Sequence, residues 1–314
     1  MKAYNILVTG CGGDISQSMG KILINYKRAG RILGCDIHND HAGHFIFDEC
    51  FIIARADSSL YIESITSLIR KEDIHIVVPA TEAELEYLVT NGWRGLENCV
   101  VIRPNDLAIE IGLDKFKTVK FLESLELPFP RTVLLEDVGE PEYPCIVKSR
   151  RGSGSKAVHL VKDKATFELV SKVVKGAVCQ EYLDSVDDEF TCAVFRSKDN
   201  ILRTILFRRK LIGGYSGFGI VEENAAITEI LDRLARAFNL VGSINIQLRI
   251  NKGVPTIFEI NSRFSSTVLF RHMFGFEDLI WAIEDALGFS IPTYQAPTAG
   301  GKFYKGFQEY IVKA

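Results

Sequence analysis

The chain has 314 residues, 47% hydrophobic and 25% charged, which allows two or three packed units and excludes disorder as the working state. Lys and Arg total 37 against 40 Asp and Glu. A net charge of −3 argues against a surface built to neutralise many nucleic-acid phosphates.

Residues 1–10 lack the basic stretch, apolar core and small-residue cleavage site of a secretory signal. Residues 4–9 (YNILVT) read as an apolar strand running into Gly10, Cys11, Gly12 and Gly13. The spacing of Ile15, Met19, Ile22 and Leu23 then predicts a helix over 14–28. Strands at 31–37, near 50–53, at 74–79 and at 99–103 alternate with helices at 59–71 and 83–90, an order that implies a parallel sheet covered on both faces. Near 105–113 the rhythm changes to a short helix, followed by Asp114-Lys115, an amphipathic segment at 115–125, and Pro128 and Pro130; the first boundary falls there.

Strands at 132–136, 144–149, 157–161 and 177–182 around a helix at 164–174 describe an α+β unit. Segments 188–196 and 200–210 flank a turn at Ser197-Lys198-Asp199-Asn200, and Gly213, Gly214, Gly217 and Gly219 make a glycine-rich stretch. The helix at 223–238 carries Ile227, Ile230, Leu231, Leu234 and Phe238 on one stripe. Strands 243–250 and 256–263 face each other across Asn251-Lys252-Gly253, and a helix at 276–287 ends at Gly288. No apolar run approaches the ~20 residues that cross a bilayer. The seven cysteines form no CxxC pair, as in a reducing cytoplasm.

Three segments could carry chemistry. Strand 243–250 (SINIQLRI) puts Ser243, Asn245, Gln247 and Arg249 on one face, and 256–263 (TIFEINSR) does the same with Glu259, Asn261 and Arg263. If the strands pair, Gln247, Glu259 and Asn261 converge as hard oxygen donors that suit magnesium, although a solvated sheet face would carry the same pattern. Lys148 sits on a strand just before the Gly-Ser-rich loop Gly152-Ser153-Gly154-Ser155, whose backbone donors could fold over phosphates; a flexible hairpin loop would look alike. The strand end Gln180-Glu181-Tyr182-Leu183 precedes an acidic stretch ending at Glu189. Backbone groups there can read an adenine edge and a carboxylate can accept ribose hydroxyls, as an acidic surface loop also could.

Other signals are weaker. Gly10 to Ile15 begins like a dinucleotide fingerprint but has Ile15 at the third glycine, and Gly13 to Lys21 misses a phosphate-binding P-loop. Asp36, His38, Asp40, His41 and His44 crowd a presumed loop and read as solvated polar residues, since no cysteine joins them in a recognised spacing. No GxSxG elbow or plainly activated cysteine is present.

In their order and spacing the three segments resemble the ATP-grasp superfamily, and in particular a single ATP-grasp unit of the carbamoyl phosphate synthetase large subunit and related carboxylate-amine ligases. The resemblance covers nearly the whole chain and is most specific at EINSRFS (259–265), similar to the family's Glu-x-Asn-Pro-Arg segment, and at NIQ (245–247). It implies a Rossmann-like pre-ATP-grasp domain at 1–113, then a two-lobed ATP-grasp fold. The small lobe would span 114–186, with a linker helix at 114–125, and the large lobe 187–314.

The resemblance also implies ATP and Mg2+. Lys115, Lys148, Gly152, Ser153 and Gly154 would surround the nucleotide, with Lys148 near the α-phosphate and adenine. Glu181, Tyr182 and Leu183 would flank adenine, Glu189 would bind ribose, and Gln247, Glu259 and Asn261 would bind magnesium. Arg263 would neutralise the transferring phosphoryl group. Arg208, or its neighbour Arg209, would be a phosphate partner within 208–221, a stretch that looks like the family's loop over the acyl substrate. Glu82, in Pro79-Ala80-Thr81-Glu82-Ala83-Glu84, is the substrate-side residue, although the first turn of a helix favours Glu in any case. Ser262 replaces the family's proline, and Ser265-Ser266 stand where glycine is common.

The activity implied is an ATP-dependent ligase joining a carboxylate to an amine, or to another nucleophile, through an acyl phosphate, with release of ADP and phosphate. One ATP-grasp unit fits this length where the full large subunit has two, so an amino acid or sugar-linked acid is expected as substrate in place of unaided carbamoyl phosphate synthesis. The expected partners are small-molecule carboxylates and amines in the cytoplasm, not nucleic acid or membrane, with homodimerisation open. Two alternatives stand beside it: an NAD(P)-dependent oxidoreductase using the Gly10–Gly13 turn, and a non-catalytic nucleotide-binding module.

Overall fold

Short apolar strands alternating with amphipathic helices build the first sheet. The computed structural model describes residues 3–152, 158–306 and 308–311. The chain runs through β1 (Tyr4–Thr9), α1 (Asp14–Leu23), β2 (Ala29–Asp36), β3 (Glu49–Ile52), α2 (Tyr61–Lys71), β4 (Ile76–Val78), α3 (Glu82–Thr90), β5 (Gly95–Leu96) and β6 (Cys99–Val101). The sheet order is β3-β2-β1-β4-β6-β5, parallel except for the last pair. β1 is central and alternates between two cores: Ile6 and Val8 pack with Met19 and Ile22 of α1, and Leu7 packs with Tyr61 and Ile65 of α2. The strand order reverses between β1 and β4, which leaves a crevice beyond their carboxyl ends.

Next come α4 (Asp106–Gly112), α5 (Lys115–Ser124), β7 (Thr132–Leu134), β8 (Cys145–Ser149), β9 (Val158–Val161), α6 (Lys164–Val173) and β10 (Ala177–Glu181). The strands form an antiparallel sheet ordered β7-β10-β8-β9, with a small core of its own around Cys145, Val147, Val161 and Cys179.

The third sheet takes β11 (Glu189–Arg196), β12 (Leu202–Ile212), β13 (Tyr215–Glu222), β14 (Gly242–Asn251), β15 (Val254–Asn261) and β16 (Lys302–Tyr304) in the antiparallel order β15-β14-β11-β12-β13-β16. α7 (Ala225–Ala237) covers one face through Ile227, Leu231 and Leu234. α8 (Val268–Met273) and α9 (Asp278–Ala286) cover part of the other. That second core also holds Ile6, Val8 and Met19, so the first and third sheets share one apolar interior while the four-stranded sheet stands apart from it.

The structure departs from the sequence expectations in places. α1 ends at Leu23, five residues early, because the chain turns at Ile24–Tyr26 and the Tyr26 hydroxyl donates to Glu284 Oε1 at 3.0 Å. The glycine-rich stretch expected as a loop is the strand β13, joined to β12 by a tight turn at Gly213 and Gly214, both at positive φ. β5, α8 and β16 are too short to leave a periodic pattern. Among the described residues no helix is long and apolar enough to cross a membrane.

Candidate functional site

A cavity of about 550 Å³ opens between the four-stranded sheet and the uncovered end of the third sheet. Lys115, Lys148, Gly152, Glu181, Tyr182, Leu183, Glu189, Gln247, Glu259, Asn261 and Arg263 all line it. Ser153 and Gly154, expected over the phosphates, lie outside the described residues. Strand alternation explains the first contribution: on β8, Val147 faces the small core and Lys148 faces the cavity, buried to 5% exposure. From α5, Lys115 Nζ donates to the Gly152 carbonyl at 2.8 Å and so ties this helix to the loop after β8.

A β-bulge shapes the centre of the site. Gln247 pairs with Glu259 and Leu248 with Ile257, which leaves Phe258 as an extra residue in β15. The alternation expected for 256–263 is therefore broken there, and Phe258 and Glu259 both border the cavity. Lys148 Nζ donates to the Phe258 carbonyl at 3.3 Å. Burial drives the Lys148 ammonium down to about 8, against the opposing pull of the Glu259 carboxylate and with smaller downward pushes from Lys115 and Arg249.

Glu259 and Asn261 make no side-chain hydrogen bond or ion pair among the described residues, while Gln247 Oε1 accepts from Arg209 Nη2 at 2.9 Å. One carboxylate and two amide oxygens on neighbouring strands, two of them uncommitted, suit a hard cation that keeps water and phosphate oxygens in its remaining positions. The donor set thus fits Mg2+.

Arginine placement corrects one expectation. Arg208 points to the far face of β12, where its Nε donates to Glu222 Oε1 at 2.9 Å, and it does not line the cavity; the next residue, Arg209, does. Glu189 Oε1 accepts from Arg209 Nε and Nη2 at 3.0 and 2.8 Å, and Oε2 accepts from Arg249 Nε and Nη2 at 3.0 and 2.8 Å. Those four bonds fill the acceptor sites of the carboxylate, so a ribose contact at Glu189 would have to share oxygens that already hold two guanidinium groups.

Glu82 does not line the cavity but reaches its edge from the first turn of α3, with Oε1 3.3 Å from Arg263 Nη2. Its neighbour Glu84 turns inward. It closes a capping box with Thr81 and accepts from Thr9 Oγ1 at 2.6 Å and from the Tyr61 hydroxyl at 3.0 Å. At the other strand end, Asp36 Oδ2 accepts from the Gly12 N–H at 2.8 Å, so this carboxylate is turned onto its own glycine turn. Asp14 and Ile15 also line the cavity, a contribution with no sequence signal because it comes from a helix start about 100 residues before the next lining group.

Residues 113–267 match the ATP-grasp domain family, and residues 6–102 match the PylC-like N-terminal domain. The carbamoyl phosphate synthase large chain of Archaeoglobus fulgidus is 25% identical over 185 residues, covering 52% of this chain and 17% of its own length. That of Halobacterium salinarum is 25% identical over 313 residues, covering 85% and 29%. The chain thus spans less than a third of the length of these relatives. Among solved structures, N5-carboxyaminoimidazole synthetase from Staphylococcus aureus superposes with a TM-score of 0.72 at 17% identity over 93% of this chain and 79% of that one. An L-amino acid ligase from Bacillus licheniformis gives 0.67 at 16% over 91% and 75%, and biotin carboxylase from Campylobacter jejuni gives 0.72 at 14% over 95% and 74%. These identities speak to a shared fold. The chain belongs to the ATP-grasp superfamily, with a PylC-like N-terminal domain ahead of its ATP-grasp domain.

Proposed function

We propose that the protein is an ATP-dependent ligase that activates a carboxylate as an acyl phosphate and transfers the acyl group to an amine, releasing ADP and phosphate. The observation that carries this reading is the convergence of Lys148, Gln247, Glu259, Asn261 and Arg263 on one cavity between two antiparallel sheets. Similarity to carbamoyl phosphate synthase large chains, and in fold to an L-amino acid ligase, supports a carboxylate and a nitrogen nucleophile as the reacting pair. In this reading residues 1–113 form the substrate-side domain, and 114–186 and 187–314 the small and large lobes that grip the nucleotide.

Lys115 and Lys148 hold the phosphates, the segment Glu181–Leu183 takes adenine, and Glu189 anchors Arg209 and Arg249 beside the ribose end. A carboxylate oxygen of the substrate attacks the γ-phosphorus; the bond from that phosphorus to the β-phosphate oxygen breaks, and ADP leaves. Arg263 spreads the charge on the transferring group, and Arg209 takes the part expected of Arg208. Bound Mg2+, held by Gln247, Glu259 and Asn261, would neutralise charge on the phosphate oxygens. The amine nitrogen then attacks the acyl carbon, phosphate departs with the bonding electrons, and the amine gives up a proton. No protein nucleophile is required.

The test is a phosphate-release screen over pairs of amino acids, other small carboxylates and amines, comparing the unmodified chain with Glu259→Gln and Arg263→Ala. Release that needs a carboxylate and falls in both variants supports the reading; equal release in all three proteins overturns it. Thermal-shift measurements with ATP plus magnesium against NAD separate it from a dinucleotide-dependent oxidoreductase, since ligand stabilisation grows with occupancy. Cytoplasmic location and homodimerisation belong to the same proposal, and light scattering of the purified chain addresses the second.

A further inference from the structure

Away from the nucleotide cavity, three metal-ligand side chains meet at the carboxyl end of the parallel sheet. Cys11 lies in the turn after β1, His41 precedes the 3-10 turn Ala42–Phe45, and Cys50 is on β3. Their ligand atoms all lie within 4.8 Å of one another, and Cys11 Sγ is 3.5 Å from His41 Nε2. In a tetrahedral zinc centre, with Zn–S of about 2.3 Å and Zn–N of about 2.0–2.1 Å, adjacent sulfur and nitrogen ligands stand roughly 3.5–3.6 Å apart. Cys11 and His41 already stand at that separation.

The surroundings are cut to admit this meeting. Gly34 occupies the interior of β2, where glycine weakens a strand, and a Cβ there would come within 2.7 Å of Cys11 Cβ and 2.9 Å of its Sγ. Its absence lets Cys11 lie across β2 toward Cys50, which pairs with Gly34 in the sheet register. A Cβ on Gly43 would come within 2.9 Å of His41 Nδ1, and one on Gly12 within 3.0 Å of His41 Cβ. His41 Nδ1 is itself buried with no hydrogen-bond partner, and Nε2 has only the weak Cys11 thiol beside it. Among the described residues no carboxylate or carbonyl hydrogen-bonds this ring.

We propose that Cys11, His41 and Cys50 form a binding site for a thiophilic divalent cation of the zinc type, with the fourth position open to water. Two thiolates and an imidazole select a softer ion than the carboxylate and amide oxygens of the nucleotide cavity, so the two sites do not compete for the same metal. Coordination replaces the two thiol protons with one cation, releasing two protons per ion bound. A bound ion would clamp the β1–α1 turn to β3, only a few residues before Asp14 and Ile15 reach the nucleotide cavity. No cysteine stands at a recognised spacing from His41 and its neighbours in sequence; the fold brings Cys11 from 30 positions away.

The site is tested on the full-length chain, reduced and stripped with a chelator, then titrated with Co2+ and Zn2+. The expected result is one Co2+ per chain with thiolate charge-transfer absorption and the visible bands of tetrahedral cobalt. Zn2+ should displace the cobalt and raise the melting temperature, and two protons should be released per ion. Cys50→Ser and His41→Ala should each weaken binding at least about tenfold, while Cys179→Ser, in the four-stranded sheet, should leave it unchanged. Far less than one ion per chain, an octahedral cobalt spectrum without charge transfer, or undiminished affinity in both Cys50→Ser and His41→Ala would each overturn the proposal. So would a Cys11–Cys50 disulfide whose reduction yields no cobalt uptake. Because Cys50 and His41 are partly exposed, both variants should fold, which circular dichroism checks.

Discussion

Arg263 Nη2 stands 3.3 Å from Glu82 Oε1, so the guanidinium just past β15 is braced by the first turn of α3 in the parallel-sheet domain. The contact links the two residues that the sequence offered separately as a phosphoryl partner and a substrate-side acid. It also fixes which way the arginine can reach, since its Nη1 donates to the Phe264 carbonyl at 3.2 Å.

Arg263→Ala should lower the rate of phosphate release by about 10²–10³-fold, the usual effect of deleting a group that meets charge only in the transition state, with Mg-ATP affinity changed no more than severalfold. Glu82→Gln should cost less, about tenfold, because it loosens the arginine without deleting it. Steady-state release alongside calorimetric affinity checks both. A matched loss of affinity and rate in Arg263→Ala would assign this side chain to ground-state binding.

Lys148 gives a pH signature. With its free-state ammonium at about 8, nucleotide phosphates favour the charged form and raise that value in the complex, so binding takes up a proton above pH 8. Mg-ATP affinity should then fall as pH rises from about 8, by at most tenfold per unit, while Lys148→Arg, which does not titrate there, should give a flat profile. Stability of the unliganded protein has the opposite sign. The unfolded chain, with an ordinary lysine near 10.4, binds more protons than the folded one between about pH 8 and 10.4, so stability contributed by this group rises with pH across that window. Calorimetry and urea melts at pH 7.5, 8.5 and 9.5 would reveal the two trends; the same slope in Lys148→Arg would remove Lys148 as their source.

Where one residue carried both the strand pattern and the chemistry, as on 243–250, the sequence was enough to find the site face. Gln247 and Arg249 line the cavity from alternating positions, and on the paired strand Glu259 lies opposite Gln247 and Asn261 opposite Asn245. What alternation could not supply is the bulge at Phe258, which turns a backbone carbonyl toward Lys148, or the choice between Arg208 and Arg209, which depends on the β12 register. Nor could it supply contacts between distant segments, such as Cys11 with His41 or Asp14 with Lys305 at 2.7 Å. β13 was hidden for a different reason: its glycines, which weaken any strand signal, are there to admit neighbours.

Gly219 tests that reading. A Cβ at this position would lie 2.3 Å from Phe303 Cε1 and 2.5 Å from its Cζ, and the Phe303 ring is held in turn by stacking on Phe270 with centroids 4.1 Å apart. The ring has little room to yield. Gly219→Ala should therefore destabilise the protein by about 1–3 kcal/mol through overpacking, despite the higher strand propensity of alanine. Gly219→Ala combined with Phe303→Leu should recover part of that loss, a coupling that a double-mutant cycle reads directly.

Asp114 is the last and most structural case. It is fully buried at the N-cap of α5, where Oδ1 accepts from the Phe116 and Lys117 N–H groups at 3.0 and 3.1 Å, and Arg150 Nε lies 2.8 Å from the same oxygen. Burial pushes its carboxyl up, but Arg150 and the two backbone donors outweigh that and hold it below the usual carboxylate range. A depressed folded-state value means that the stabilisation is complete above the unfolded value near 3.9 and is lost as pH falls through the folded one. Asp114→Ala removes the cap and strands Arg150, which is itself about one-third exposed, so the expected loss is about 2–3 kcal/mol, below that of a fully buried pair. Asp114→Asn keeps an acceptor for the helix and should lose less. Because Lys115 follows directly and holds the Gly152 carbonyl, Asp114→Ala should also weaken Mg-ATP binding, whereas Asp114→Asn should retain most of it. Urea unfolding at pH 7 and calorimetric affinity for the two variants separate the cap from the charge, and equal stability losses in both would leave the ion pair with Arg150 as the dominant contribution.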